Sequence, residues 1–195
     1  RTGFAHLFEH IMFKSTKNMK SEMMDRLTED VGGFNNAFTA DDVTVYFEVV
    51  PSNYLETLIW AEADRLSGLN VDDANFKSER DVVKEEFRQG VLAPPYGRFE
   101  YLLQQKSFLE HPYKRPTIGN IEDLDAASLE DVQEFFRTYY VPNNASLVIA
   151  DLITGRDDPS SRRRHPRPSP VRLRGAGSCL SPPRAGARTP AAHHA

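Results

Sequence analysis

Apolar and polar residues alternate with helical spacing along much of the first 150 residues, interrupted once by a β-like stretch. Residues 3–13, GFAHLFEHIMF, predict a buried helix, because only His6, Glu9 and His10 interrupt an otherwise almost entirely apolar run. Residues 21–31, SEMMDRLTEDV, predict an amphipathic helix closed by Gly32 and Gly33, which suit a helix C-terminus. Two β-rich runs follow, 35–39 and 43–50, around the turn-like Ala40-Asp41-Asp42, and predict a hairpin. Pro51 and Ser52 then open a helix whose apolar face includes Leu55, Leu58, Ile59, Ala61 and Ala63 and is completed by Leu66 and Leu69. A helix over 72–89, capped by Asp72 or Asp73, is broken by APPYG at 93–97. Further helices are predicted over 99–108 and 128–139, the second opening on the capping-box spacing of Ser128 and Asp131. ASLVIA, residues 145–150, predicts a buried strand. These elements together imply a mixed α and β domain over residues 1–152.

Composition divides the chain at that point. The 195 residues carry a net charge of −4, but residues 153–195 hold nine arginines against Asp157 and Asp158, a net of +7, which leaves −11 for residues 1–152. The same tail has seven of the 13 prolines and no Phe, Trp or Tyr. Such a segment buries too little apolar surface to offset its ordering entropy, so disorder is expected there. Its Arg, Pro, Ala and Gly richness is that of out-of-frame translation of GC-rich DNA, and a role as a basic arm for nucleic acid ranks below that reading. Cys179 is the single cysteine, which excludes an intramolecular disulfide and a multi-cysteine zinc site. No apolar run approaches the roughly 18 to 20 residues that a membrane-spanning helix needs.

The chemistry lies in H-L-F-E-H. At about 100° per residue, His6 and His10 fall roughly 40° apart around a helix axis, with Glu9 about 60° to the other side of His6. Two imidazoles one turn apart can bind one Zn²⁺, and a neighbouring carboxylate can reach a metal-bound water as general base. Either histidine alone reads better as a core residue with a satisfied ring nitrogen. Both together with Glu9 do not, since burying a carboxylate among Phe4, Leu7, Phe8, Ile11 and Phe13 costs several kcal/mol without a partner, and no Lys or Arg lies within the stretch until Lys14. A third ligand is required from elsewhere, and SERDVVKEEFRQ supplies candidates. Glu79 and Glu86, two turns apart, share a face, while Glu85 points about 100° away with Lys84 and Arg88 as a solvated acid. Spacing alone leaves open whether Glu79 or Glu86 is a ligand.

His6-Leu7-Phe8-Glu9-His10, followed 76 residues after His10 by Glu86, resembles the inverted zinc motif H-x-x-E-H of the pitrilysin/insulinase family of metallopeptidases. GGFNNAFTADDVTVYF, ERDVVKEEF and HPYKRPTIGNIEDLDAASLEDVQEFFRTYYVPNNASLVIAD follow in the family's order, so the resemblance covers about residues 1–152. It implies an α+β fold in which a mostly antiparallel sheet is packed by helices. It implies that His6, His10 and Glu86 ligate Zn²⁺, that Glu9 is the catalytic base, and that Glu79 supports the site from behind. It also implies that the strand carrying Gly32, Gly33, Asn36, Ala37 and Thr39 lines the cleft and pairs with an extended peptide, Asn36 and Ala37 contacting substrate.

The activity so implied is zinc-dependent endopeptidase cleavage of peptides or unfolded proteins. Family members form a clamshell whose second half supplies an Arg and a Tyr for the scissile peptide, so a C-terminal half-domain or partner subunit is expected to complete the site, and the chain alone is expected to be poorly active. The alternative is a non-catalytic assembly or scaffold subunit of the same fold. No nucleic-acid partner and no transmembrane segment are expected. A bacterial periplasmic or otherwise extracytoplasmic location is favoured over a mitochondrial one.

Overall fold

A computed structural model of the chain describes residues 2–150; the predicted tail, 153–195, lies outside the described residues. Among the described residues the regular elements are α1 (Phe4–Ile11), α2 (Met23–Glu29), the strands β1 (Phe34–Thr39) and β2 (Thr44–Val49), then α3 (Leu55–Gly68), α4 (Asp73–Phe87), α5 (Arg98–Ser107), α6 (Ile121–Asp125) and α7 (Leu129–Tyr139).

α1 is central because its apolar residues find partners on more than one side. Leu7, Phe8 and Ile11 are fully buried, in a core shared with Phe76 and Val83 of α4, Leu124 of α6 and Val132 of α7. The Phe8 ring lies 5.5, 5.6 and 4.6 Å from those of Phe135, Phe136 and Tyr140. The start of the helix is pinned by a close backbone approach. Gly3 has φ +84°, and a Cβ on Gly119 (φ +76°) would lie 2.6 Å from Gly3 Cα, so neither position tolerates a side chain. The Thr2 amide and hydroxyl donate to Asp123 Oδ2 at 2.8 and 2.6 Å, fastening the same end to α6.

The predicted caps form. The Asn75 amide donates to Asp72 Oδ1 at 2.8 Å, starting α4, and Ser128 and Asp131 make both bonds of a capping box at the start of α7. α4 buries Phe76, Glu79, Val83 and Phe87, a stripe of helical spacing facing the core. Past Phe87 the chain widens into a π-helical turn, Arg88–Leu92, so the α-helix ends two residues before the predicted limit.

β1 and β2 pair antiparallel from Phe34↔Val49 to Thr39↔Thr44, as the hairpin pattern predicts. Alternation assigns the faces: Asn35, Ala37 and Thr39 are partly buried, while Phe34, Asn36 and Phe38 are exposed. Asn35 Nδ2 donates to Thr28 Oγ1 at 2.8 Å and Asp25 Oδ1 at 3.1 Å, fixing β1 against α2. The expected α+β class with an antiparallel sheet is what the chain adopts, and the sheet among the described residues is this two-stranded one.

Two expectations require correction and one element was not expected. Residues 145–150 form no strand, and Val148 is 85% exposed, because a strand needs a ladder partner and none lies beside them among the described residues. On α3, Leu58 and Ala61 are buried as predicted, but Ile59 is exposed and Asp64 and Arg65 are buried instead. Their partners explain the rotation. Asp64 accepts from the Thr16 hydroxyl and from Asn18 Nδ2 (2.5 Å), and Arg65 pairs with Glu62 and with Glu48 (3.2 Å) beneath the rings of Phe13 and Tyr46. α6 was not predicted; it is one short turn started by Asn120, whose Oδ1 accepts from the Asp123 amide at 2.7 Å.

Candidate active site

α1 and α4 pack face to face, and this sets His6 and His10 opposite Glu79 and Glu86. The two imidazoles, one turn apart, meet edge to face with ring centres 4.9 Å apart. Glu86 Oε2 lies 3.5 Å from His6 Nε2 and 3.4 Å from His10 Nε2. His6, His10 and Glu86 each direct one donor atom into a common space, all within 4.8 Å of one another. Ligands of a tetrahedral zinc at about 2.0 to 2.1 Å stand about 3.3 to 3.4 Å apart. The spacing and the donor set, two imidazole nitrogens and a carboxylate oxygen, fit a zinc ion.

Glu79 sits behind His10. Its buried carboxylate places Oε2 3.7 Å from His10 Nδ1, while Oε1 takes Lys14 Nζ at 2.7 Å and the Ser78 hydroxyl at 3.0 Å. Burial raises the proton affinity of Glu79, but His10, Lys14 and Ser78 outweigh it and hold the carboxyl below its ordinary range. Burial likewise works against a charged His10, yet the facing Glu79 and the charges of Glu86 and Glu9 prevail and raise it. His6 goes the other way: burial, then the neighbouring His10, lower it against the pull of Glu86. His6 Nδ1 is buried without a hydrogen-bond partner among the described residues, so Nε2, facing Glu86, is its one polar outlet.

Glu9 has a partner that the motif did not reveal. The Thr39 hydroxyl, at the end of β1, donates to Glu9 Oε2 at 2.5 Å. The hairpin therefore touches the base position of α1 directly. Asn36 is exposed, its Oδ1 accepting from the Ala37 amide at 2.8 Å, and Ala37 is partly buried. β1 pairs only with β2 among the described residues, so its other edge is open. Glu85 is turned to solvent, bound to Arg88 at 3.2 Å and Gln89 at 2.9 Å, as expected for an acid outside the site. Lys14, the first cation after the motif, pairs with Glu79.

Known proteins are similar to this chain. The chain matches the family described as Insulinase (Peptidase family M16) over residues 1–120. It is 35% identical over 153 residues to the zinc protease PqqE of Helicobacter pylori, covering 78% of this chain and 34% of that protein. To an uncharacterised zinc protease of Mycobacterium leprae it is 34% identical over 150 residues, covering 76% of this chain and 33% of the relative. The solved structure of a protease from Helicobacter pylori matches with a TM-score of 0.71 at 34% identity, over 73% of this chain and 34% of that one. The first half of the periplasmic protease PqqL from Escherichia coli shares the fold, with a TM-score of 0.63 at 22% identity over 73% of this chain and 32% of that one. The chain spans about a third of the length of the curated relatives it matches.

Proposed function

Because the chain belongs to the insulinase family, Peptidase family M16, we propose that it is the zinc-binding part of an endopeptidase that hydrolyses peptides or unfolded proteins. The observation that carries this is the convergence of His6, His10 and Glu86 on one point, with the Glu9 carboxylate on the adjoining face of the same helix. His6 Nε2, His10 Nε2 and one Glu86 oxygen would hold the metal. When bound, Zn²⁺ lowers the pKa of a water molecule and polarises the scissile carbonyl. Glu9 accepts the proton of the attacking water and returns it to the leaving amine. Glu79 steadies His10 through Nδ1, fixing its ring and tautomer. Peptide adds in extended form along the open edge of β1 at Asn36 and Ala37, where backbone hydrogen bonds give affinity with little demand on sequence.

Substrate cleavage by this reading needs a second half-domain or a partner subunit to close the cleft, consistent with the chain's share of its relatives' length. The setting proposed is extracytoplasmic. Among the described residues no helix is long and apolar enough to cross a membrane, and no nucleic-acid partner is part of the proposal.

The test is Glu9→Gln in the longest gene product that carries the chain. Loss of the general base should lower the rate of peptide cleavage by roughly 10²- to 10⁴-fold while bound zinc, measured by elemental analysis, is unchanged. Undiminished cleavage refutes the role of Glu9. A wild-type protein that binds zinc and cleaves nothing would favour the non-catalytic scaffold reading.

A further inference from the structure

The Glu9 carboxylate is held from behind by a file of hydroxyl groups that crosses the hairpin. Thr39 Oγ1 lies 2.5 Å from Glu9 Oε2 and 3.2 Å from Thr44 Oγ1, its partner in the last register pair of the hairpin. On the same strand as Thr44, the Tyr46 hydroxyl lies 2.8 Å from that of Tyr140, at the C-terminal end of α7. Three elements, β1, β2 and the end of α7, thus meet behind a residue of α1.

Donor counting orients the file. An ionised carboxylate only accepts, so the single hydroxyl proton of Thr39 is spent on Glu9. The Thr39–Thr44 bond then requires Thr44 to donate, while either hydroxyl of the Tyr46–Tyr140 pair can be the donor. Both threonine dipoles point towards Glu9, the arrangement in which neighbouring hydrogen bonds strengthen one another. Both tyrosines are kept protonated: burial, with the paired tyrosine, raises Tyr46 well above its usual range, and burial pushes Tyr140 up to about 12. Their rings are also fixed, Tyr140 against Phe8 at 4.6 Å and Tyr46 under the Arg65 guanidinium at 5.0 Å.

We propose that Thr39 is a positioning residue for Glu9, aimed in turn by Thr44: it occupies Oε2 and so turns Oε1 towards the attacking water. Oε1 carries no hydrogen bond among the described residues, whereas Oε2 is taken. Because Thr39 stands two residues from Ala37 on β1, the strand proposed to take substrate also sets the base. A peptide seated on β1 and the carboxylate that serves its hydrolysis are referenced to one rigid hairpin. This proposal rests on the peptidase reading above.

The test compares Thr39→Val, which keeps shape and strand preference but removes the hydroxyl, with Thr39→Ser, which restores it. The first readout needs no activity. The infrared carboxylate band of Glu9, isolated by subtracting the spectrum of Glu9→Gln from that of each parent protein in its zinc-loaded form, should shift in Thr39→Val and stay in place in Thr39→Ser. The second is steady-state cleavage by the longest gene product. In Thr39→Val kcat should fall roughly 10- to 100-fold, the worth of a hydrogen bond to a charged group, with KM and zinc content unchanged. Thr39→Ser should restore kcat to within about threefold, and Thr44→Val, acting one bond further back, should lower kcat by a smaller factor than Thr39→Val. An unshifted band in folded Thr39→Val overturns the proposal, and so does a Thr39→Ser protein as slow as Thr39→Val. If the wild-type protein cleaves nothing, the peptidase reading has failed, and the infrared comparison still decides whether Thr39 sets the Glu9 carboxylate.

Discussion

Two charge clusters, one around buried Arg65 and one that includes buried Glu79, are built on opposite terms. Around Arg65 the cation is at the centre: fully buried, it pairs with Glu48 at 3.2 Å and with Glu62, and the rings of Phe13 and Tyr46 close over it. Two carboxylates crowd one guanidinium, and the excess is relieved by a proton. Burial, then Glu62, pushes Glu48 up to about 8 against the pull of Arg65. Around His6 and His10 three acids, Glu9, Glu79 and Glu86, gather with Lys14 as the one cation in contact, and Lys14 serves Glu79. The first cluster is complete in charge among the described residues, although Arg65 Nε and Nη1 are buried there without a hydrogen-bond partner, whereas the second has its donor atoms converging on a point and a deficit of positive charge. A divalent cation would supply what the second cluster lacks. On the proposed reading, charge marks a functional centre here where its compensation comes from outside the described residues.

Removing the cation from the complete cluster is the strongest way to break this comparison. Arg65→Ala should leave Glu48 and Glu62 without their counter-charge and cost about 3 to 5 kcal/mol of stability. The urea midpoint reads it, and zinc bound by the folded fraction should not change. A stability loss below about 1 kcal/mol would show that Arg65 does not organise its cluster.

The incomplete cluster is sharpened by Glu79→Gln. If Glu79 acts through His10 and is not itself a ligand, zinc affinity should fall by roughly 10- to 100-fold, measured by competition with a chelator. Unchanged affinity would separate Glu79 from the metal centre.

A pH dependence belongs to the first cluster as well. Glu48 has a folded-state value of about 8, raised from an ordinary 4.5, so the stability linked to its proton is fully present below about pH 4.5 and declines as pH rises through 8. Glu48→Gln should flatten the urea midpoint across pH 5 to 8. A slope identical to wild type would place the titration elsewhere.

Much of the site was legible in sequence because a helix is a local object. His6, Glu9 and His10 lie within five residues, so helical periodicity alone placed them on one side of α1. The caps at Asp72 and Ser128 were legible for the same reason, each being a bond across three residues. Joining α1 to Glu86 required the resemblance, since the 75 residues between His10 and Glu86 carry no periodic signal that links the two. What stayed hidden was non-local. Thr39 and Glu9 are 30 residues apart, Tyr46 and Tyr140 94 apart, and nothing in either neighbourhood announces the other. Arg65 was hidden differently: helical spacing placed Ile59 on the inner face of α3, and the Glu48 pairing rotated that face towards Arg65. The misjudged strand at 145–150 has the composition of a strand and no ladder to join.

The central claim is that His6, His10 and Glu86 form the metal centre, and the zinc content of three purified proteins tests it most directly: wild type, Glu86→Gln and Glu85→Gln. Glu85, one residue away and turned to solvent, is the matched control. The account predicts one zinc per chain in wild type and in Glu85→Gln after dialysis against a weak chelator, and near-complete loss in Glu86→Gln. Equal zinc content in Glu86→Gln and Glu85→Gln would contradict it.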